Sequence, residues 1–207
     1  MLEVSEFQKK YNNYIVLDIP LLDIEPGIHW FVGKNGSGKS TFFKSLAGIV
    51  PFQGQMRFMS LQPHQKACKF LINYSEAEPK YPDFVTAQEV LSFIAYAKKA
   101  PKGQLEKLVE HFGVIEYWKN NIGTYSSGML KKVSLVTGFL GNPELIILDE
   151  PFILVDAASI EKLYELIVET QTQKGTSFFL SSHQDLLPEK LRVNGLYLVD
   201  NKTIAKK

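Results

Sequence analysis

Residues 33–40 read Gly33-Lys34-Asn35-Gly36-Ser37-Gly38-Lys39-Ser40. The pattern is G-x-x-x-x-G-K-[ST], and each part has a mechanical reason. Gly33, Gly36 and Gly38 let the backbone curl so that successive N–H groups face inward and form an anion nest. A helix starting near Lys39 adds the positive end of its dipole. Lys39 supplies a point charge to the β and γ phosphates of a nucleotide, and the Ser40 hydroxyl is a hard oxygen ligand for Mg2+. A Gly-rich turn can hold Lys and Ser by chance. Here, however, the strand-forming run Ile28–Val32 precedes the loop and the helix-forming run Thr41–Ala47 follows it. That context points to nucleotide phosphates.

A second group of residues has matching chemistry. Leu145-Ile146-Ile147-Leu148 is an apolar run that ends in Asp149-Glu150. Asp149 at a strand end can hold Mg2+ through water, and Glu150 can polarise a water for in-line attack on a γ phosphate. Many strands end in a solvated acidic turn, but a phosphate loop needs such a carboxylate, and the pairing raises the motif above that reading. Ser126 and Ser127, followed by Gly128, open the helical run Leu130–Leu140. They read as N-cap residues or as a second anion site at a helix start. One nucleotide does not need two such clamps from one chain, whereas a dimer would supply the second in trans. His183 follows Ser181-Ser182 at the end of another strand candidate. An imidazole there can hydrogen-bond a γ phosphate or the attacking water.

The surrounding elements must bring these residues together. Strand candidates are Leu2–Phe7, Tyr14–Leu17, Ile28–Val32, Phe70–Tyr74, Leu145–Leu148 and Ser177–Leu180, and a terminal hairpin spans Leu196–Val199 and Thr203-Ile204. Thr86-Ala87-Gln88-Glu89 has the spacing of a capping box. Val90, Leu91, Phe93, Ile94 and Ala97 then follow at helical spacing, as do Leu105, Leu108, Val109 and Phe112. Residues 80 to 140 therefore read as a helical insertion into an α/β body. Strands alternating with helices predict a mostly parallel, covered sheet, whose ligands sit at the carboxyl ends of the strands. Ile160–Val168 reads as a further helix.

Composition excludes several other classes. The chain has 207 residues, 45% of them hydrophobic and 22% charged, which is globular and not disordered. Its net charge of +1 argues against a protein built around a nucleic-acid backbone. Cys68 is the only cysteine, so no internal disulfide or cysteine-cluster metal site is possible. The first residues do not read as a secretory signal, and no apolar run approaches 18 residues. The expectation is a soluble, cytoplasmic protein.

In this order and spacing the motifs resemble those of the ATP-binding cassette (ABC) family, over about residues 2 to 200. The resemblance implies a P-loop NTPase core with a mostly parallel sheet, N-terminal antiparallel strands and an inserted helical subdomain at about 80–140, all in one cassette. Residues 33–40 resemble the Walker A loop, which implies ATP contacts from Gly33, Asn35, Gly36, Ser37, Gly38, Lys39, Ser40 and Thr41. Tyr11 falls where an aromatic usually stacks on adenine, with Tyr14 the nearby alternative. Tyr125-Ser126-Ser127-Gly128-Met129 resembles the family signature, so Ser126, Ser127 and Gly128 would meet ATP. Asp149-Glu150 resembles the end of Walker B, which implies Asp149 and Ser40 for Mg2+ and a catalytic role for Glu150, assisted by Lys39. His183 resembles the switch histidine. Residues 81–86 resemble the usual start of the helical subdomain.

Three departures accompany the resemblance. Ala77 stands where the family has a glutamine that reaches the metal and the water; Glu76 or Glu78 would substitute if the loop shifts by one residue. Ser127, Met129 and Tyr125 replace the usual glycine, glutamine and leucine of the signature. The segment Phe152–Asp156 lacks the small polar residue common at position 153. What the resemblance implies is the ATPase subunit of a transporter, peripheral at the cytoplasmic face of the membrane. It would work with a transmembrane permease and a second cassette, with a homodimer expected. Phe84, Tyr96 and Tyr117 are read as core residues first and as docking residues second. A cassette that moves no solute, as in iron–sulfur assembly, is the alternative, and a small-molecule kinase is a more distant one.

Overall fold

The computed structural model describes residues 1–183 and 190–207. Its elements run β1 (Leu2–Tyr11), β2 (Tyr14–Ile24), β3 (Ile28–Val32), α1 (Lys39–Leu46), β4 (Gln53–Phe58), α2 (Lys66–Leu71) and β5 (Ile72–Ser75). They continue with α3 (Ala87–Ala97), α4 (Gln104–His111), α5 (Ser127–Phe139), β6 (Leu145–Leu148), α6 (Ala157–Lys174), β7 (Ser177–Ser182), β8 (Gly195–Asp200) and β9 (Thr203–Lys206). A three-stranded antiparallel sheet has the order β2-β1-β4, and a six-stranded sheet has the order β5-β6-β7-β3-β8-β9. In the larger sheet only the β8–β9 hairpin is antiparallel. The α/β class and the mostly parallel sheet are as expected.

The apolar strands explain why this sheet is covered on both faces. All residues of β3 and β6 are buried, as in strands sandwiched between two layers. Alternate side chains feed two separate cores. Trp30, Ile146, Leu148, Phe178 and Leu180 join the core under α3–α6. Phe31, Leu145, Ile147 and Phe179 join the core under α1 and the antiparallel sheet. Phe31 is the hub of the second core: its ring lies 5.1 Å from Phe43, 6.0 Å from Phe42, 5.1 Å from Phe179 and 5.0 Å from Tyr197. These rings seat α1, the helix that begins with Lys39.

Between β5 and β6 every regular element is helical. The predicted capping box starts α3: Glu89 N donates to Thr86 Oγ1 at 3.2 Å, and Thr86 N donates to Glu89 Oε2 at 2.8 Å. The bonds that Thr86 N and Thr86 Oγ1 donate to Glu89 Oε2 hold this carboxyl below its ordinary pKa. At the outer edge of the sheet Lys98 Nζ donates to the Ile72 carbonyl at 2.9 Å and to that of Lys69.

Several sequence expectations need correction. β1 and β2 run well past Phe7 and Leu17, because one face of their sheet is solvated and tolerates Gln8 and Asp18, while Lys9 is buried on the other face with its Nζ donating to the Pro51 carbonyl. β4 has no counterpart among the predicted strands; its burial is confined to Met56 and Phe58. Phe70 and Leu71 close α2 instead of opening a strand, and β5 begins only at Ile72. Phe84 and Tyr96 are not core residues: they are 80% and 86% exposed, with Phe93 at 71%. Tyr117 does pack, edge-on to Tyr125 at 5.0 Å.

Replacing Phe43 by Ala removes a fully buried ring from the seat of α1. The expected cost is about 3–5 kcal/mol of stability, read as a lower urea midpoint by fluorescence of buried Trp30.

Candidate functional site

Three strand ends build the site. The loop after β3, the pair Asp149-Glu150 after β6 and His183 after β7 all lie at the carboxyl edge of the sheet. β7 pairs with both β3 and β6, with Val32 opposite Ser182 and Leu148 opposite Leu180. The histidine therefore stands between the loop and the acidic pair.

A cleft of about 450 Å³ opens along this edge. It is lined by Asn35, Gly36, Ser37, Gly38, Lys39, Ser40 and Thr41, and across from them by Ala77, Glu78, Glu150 and His183, with Ile153 and Leu154 at the rim. Gly38 is the N-cap of α1 at φ 110°. That is a conformation only glycine adopts without strain, and a Cβ here would come within 2.8 Å of Leu17. The first turn of α1 thus points its free N–H groups into the cleft.

Charges converge beside it. Lys39 is buried; its Nζ donates to the Gly33 carbonyl at 2.6 Å and the Lys34 carbonyl at 3.3 Å, and lies 3.5 Å from Glu150 Oε1. His183 Nδ1 is 3.2 Å from Glu150 Oε2. Lys39, Glu150 and His183 form one contiguous cluster. Asp149 lies behind it, almost wholly buried. Ser181 Oγ donates to Asp149 Oδ1 at 2.5 Å and accepts the Glu150 N–H at 2.8 Å. Tyr74 Oη donates to Asp149 Oδ2 at 2.9 Å. Burial, then the Asp149 charge, raises the Tyr74 pKa far above its ordinary value, so this hydroxyl stays a donor. Among the described residues no group of three or more His, Cys, Asp or Glu could cage a metal. A divalent ion here would need substrate phosphates and water as well, which is the habit of Mg2+. The hard oxygens of Ser40 and Asp149 fit that mode.

The other predicted site residues lie elsewhere. Ser126 caps α5, its Oγ accepting from Met129 N at 3.2 Å, so the capping expectation holds. Ser126, Ser127 and Gly128 do not line the cleft of their own chain. A Cβ at Gly128 would come within 2.7 Å of the Leu154 carbonyl oxygen, so this residue lets the loop after β6 lie against the start of α5. Tyr11 and Tyr14 face each other at the tip of the β1–β2 hairpin, both exposed, with Lys9 Nζ 4.7 Å from the centre of the Tyr11 ring. The structure does not bring Tyr11 into the cleft beside the phosphate loop. Of the two candidates for the missing glutamine, Glu78 lines the cleft, whereas Glu76 pairs with Lys44 at 3.8 Å.

A family model described as "ABC transporter" matches residues 20–153, well over half of the chain. The chain belongs to the ABC transporter family. Among curated relatives, the putative ABC transporter ATP-binding protein AlbC of Bacillus subtilis (strain 168) is 31% identical over 87% of this chain and 79% of its own. The manganese transport system ATP-binding protein MntA of Synechocystis sp. is 31% identical over 84% of this chain and 71% of its own. A solved ATP-binding subunit of an ABC transporter superposes with a TM-score of 0.87 at 24% identity, over all of this chain and 89% of that one. A dimeric ATP-binding cassette bound to ADP and Pi superposes at 0.82 with 16% identity, over 100% of this chain and 98% of that one.

In this ABC cassette sequence reasoning missed Tyr74, Ser181 and Lys131. Tyr74 reads as an ordinary strand residue and Ser181 as the residue that follows a strand; only their place beside Asp149 gives them a task. Lys131 carried a faint signal, since it shares a helical face with Ser134, Leu135 and Gly138, all buried.

Ser181→Ala leaves Asp149 Oδ1 and the Glu150 N–H without their buried partner. A loss of about 1–3 kcal/mol is expected, measured by urea unfolding.

Proposed function

We propose that this cassette is an ATP-hydrolysing subunit that powers transport through a separate membrane subunit. The observation that carries the reading is the cluster of Lys39, Glu150 and His183 against the phosphate loop. In this reading the inward N–H groups of residues 33–40 and the start of α1 hold the phosphates of ATP, with Thr41 completing the turn. Lys39 neutralises charge on the β and γ phosphates. Ser40 and Asp149 hold Mg2+, which supplies positive charge to the phosphate oxygens when bound. Glu150 accepts the proton of a water whose oxygen attacks the γ phosphorus while the bond to the β–γ bridging oxygen breaks. His183 orients Glu150 and the γ phosphate. Tyr11, exposed at the hairpin tip, would stack on an adenine that extends beyond the cleft.

The start of α5 with Ser126, Ser127 and Gly128 lies outside the cleft of its own chain, which supports a head-to-tail pair in which it closes on the partner's ATP. A homodimer is the simplest such pair. The whole chain then acts as a single cassette, with the helices of residues 80–140 as its helical subdomain. Among the described residues no helix is long and apolar enough to cross a membrane, so membrane contact falls to the permease at the cytoplasmic face. Exposed Phe84, Phe93 and Tyr96 offer it apolar side chains at and just before α3.

Lys39→Ala is expected to abolish ATP binding or hydrolysis; unchanged phosphate release would sink the phosphate-loop assignment. Glu150→Gln is expected to keep ATP, lose turnover and elute as a dimer from a sizing column in ATP and Mg2+. A monomer there would refute the head-to-tail pair. A multi-span membrane protein in near-equal amount is expected to co-purify with tagged Glu150→Gln protein from its native host.

A further inference from the structure

Lys131 lies in the second turn of α5, with none of its surface exposed. Its Nζ donates to three main-chain carbonyls: Asp149 at 2.7 Å, Glu76 at 2.9 Å and Ala77 at 3.4 Å. Burying an ammonium is costly, and an apolar side chain of similar volume would fill such a site at less cost. What lysine adds is three donors aimed at three carbonyls. Those carbonyls belong to two different segments, the end of β6 and the loop after β5. One turn on, Ser134 Oγ meets Ser75 Oγ at 2.9 Å and the Glu76 carbonyl at 3.5 Å, so a second side chain of α5 reaches the same loop. Burial pushes the lysine pKa down to about 8, against the pull of the Asp149, Glu150 and Glu76 carboxylates.

The loop it grips lines the nucleotide cleft through Ala77 and Glu78. Ala77 carries no polar side chain, so at that residue displacement of the loop passes through its main chain. The peptide that accepts from Lys131 at Asp149 is the one whose N–H belongs to Glu150 and binds Ser181. We propose that Lys131 is a positioning residue that ties the Glu76–Ala77 loop and helix α5 to the Asp149–Glu150 peptide, so that the three move as a unit and Glu150 is aimed only while the loop is seated. The inference rests on the ATPase reading above and adds a buried residue to it that does not line the cleft.

The test compares wild type with Lys131→Met, which keeps length and loses the donors, and Lys131→Arg, which restores donors. Lys131→Met is expected to hold ATP within about threefold of wild type while kcat falls by about tenfold or more, with partial recovery in Lys131→Arg. Amide hydrogen exchange over residues 76–78, measured without nucleotide, is expected to accelerate in Lys131→Met and return toward wild type in Lys131→Arg. Wild-type kcat and wild-type loop exchange in Lys131→Met would overturn the proposal. So would a lowered Tm with kcat per folded molecule unchanged. If Lys131→Met does not fold, Lys131→Gln, which keeps two donors on a shorter side chain, takes its place with a smaller fall in kcat and a smaller rise in loop exchange expected; wild-type values of both would overturn the proposal. The exchange measurement needs no turnover, so it decides the tie even if wild type proves inactive as an ATPase, a result that would count against the ATPase reading alone.

Discussion

One hydroxyl holds the chemical edge of this molecule together. Ser181 Oγ donates a hydrogen bond to Asp149 and accepts one from the Glu150 N–H, so a single side chain on β7 sets both the carboxylate and the peptide that follows it after β6. It does so because β7 is inserted between β6 and β3. Remove that strand order and the phosphate loop, the acidic pair and His183 no longer share an edge. The bond is short, buried and charge-assisted, the class of hydrogen bond that contributes most and is most costly to leave unmade.

Behind that edge the two cores have different tasks. The aromatic core around Phe31 seats α1 and so holds the phosphate loop to the sheet. The other core carries α5, whose first residues do not line the cleft of their own chain. The segment after Glu150 joins the two ends. Phe152 stacks on Trp30 at 5.8 Å, Leu154 lies against Gly128, and Asp156 caps α6 while pairing with Lys132 on α5 at 2.7 Å. That hydrogen bond from Lys132, helped by Ser159, holds the Asp156 carboxyl well below the usual carboxylate range.

The legible parts of the sequence were those whose local chemistry allows one solution. Ile28–Val32 followed by a glycine-rich turn and the helix-forming run after it specifies a strand, a loop and a helix from local chemistry alone, and β3, the loop and α1 follow that reading. The capping box at Thr86 was likewise local. What stayed hidden depends on partners far along the chain. β4 is a strand because β1 offers it hydrogen bonds, not because Gln53–Phe58 alternates cleanly. Tyr74 and Lys131 acquire their tasks from a carboxylate and three carbonyls that no spacing rule brings near. The exposed Phe84, Phe93 and Tyr96 misled because their aromatic character suits a core as well as an interface.

The lysine at the border of the large sheet has one more consequence. β5 ends the sheet on one side, and Lys98 covers the Ile72 carbonyl there with a positive charge. On the other side β9 is only four residues long and finishes in Lys206-Lys207. Charged and shortened borders of this kind resist the addition of a strand from another molecule. A crowded solution of these chains is thereby steered away from ribbon-like stacking through the large sheet.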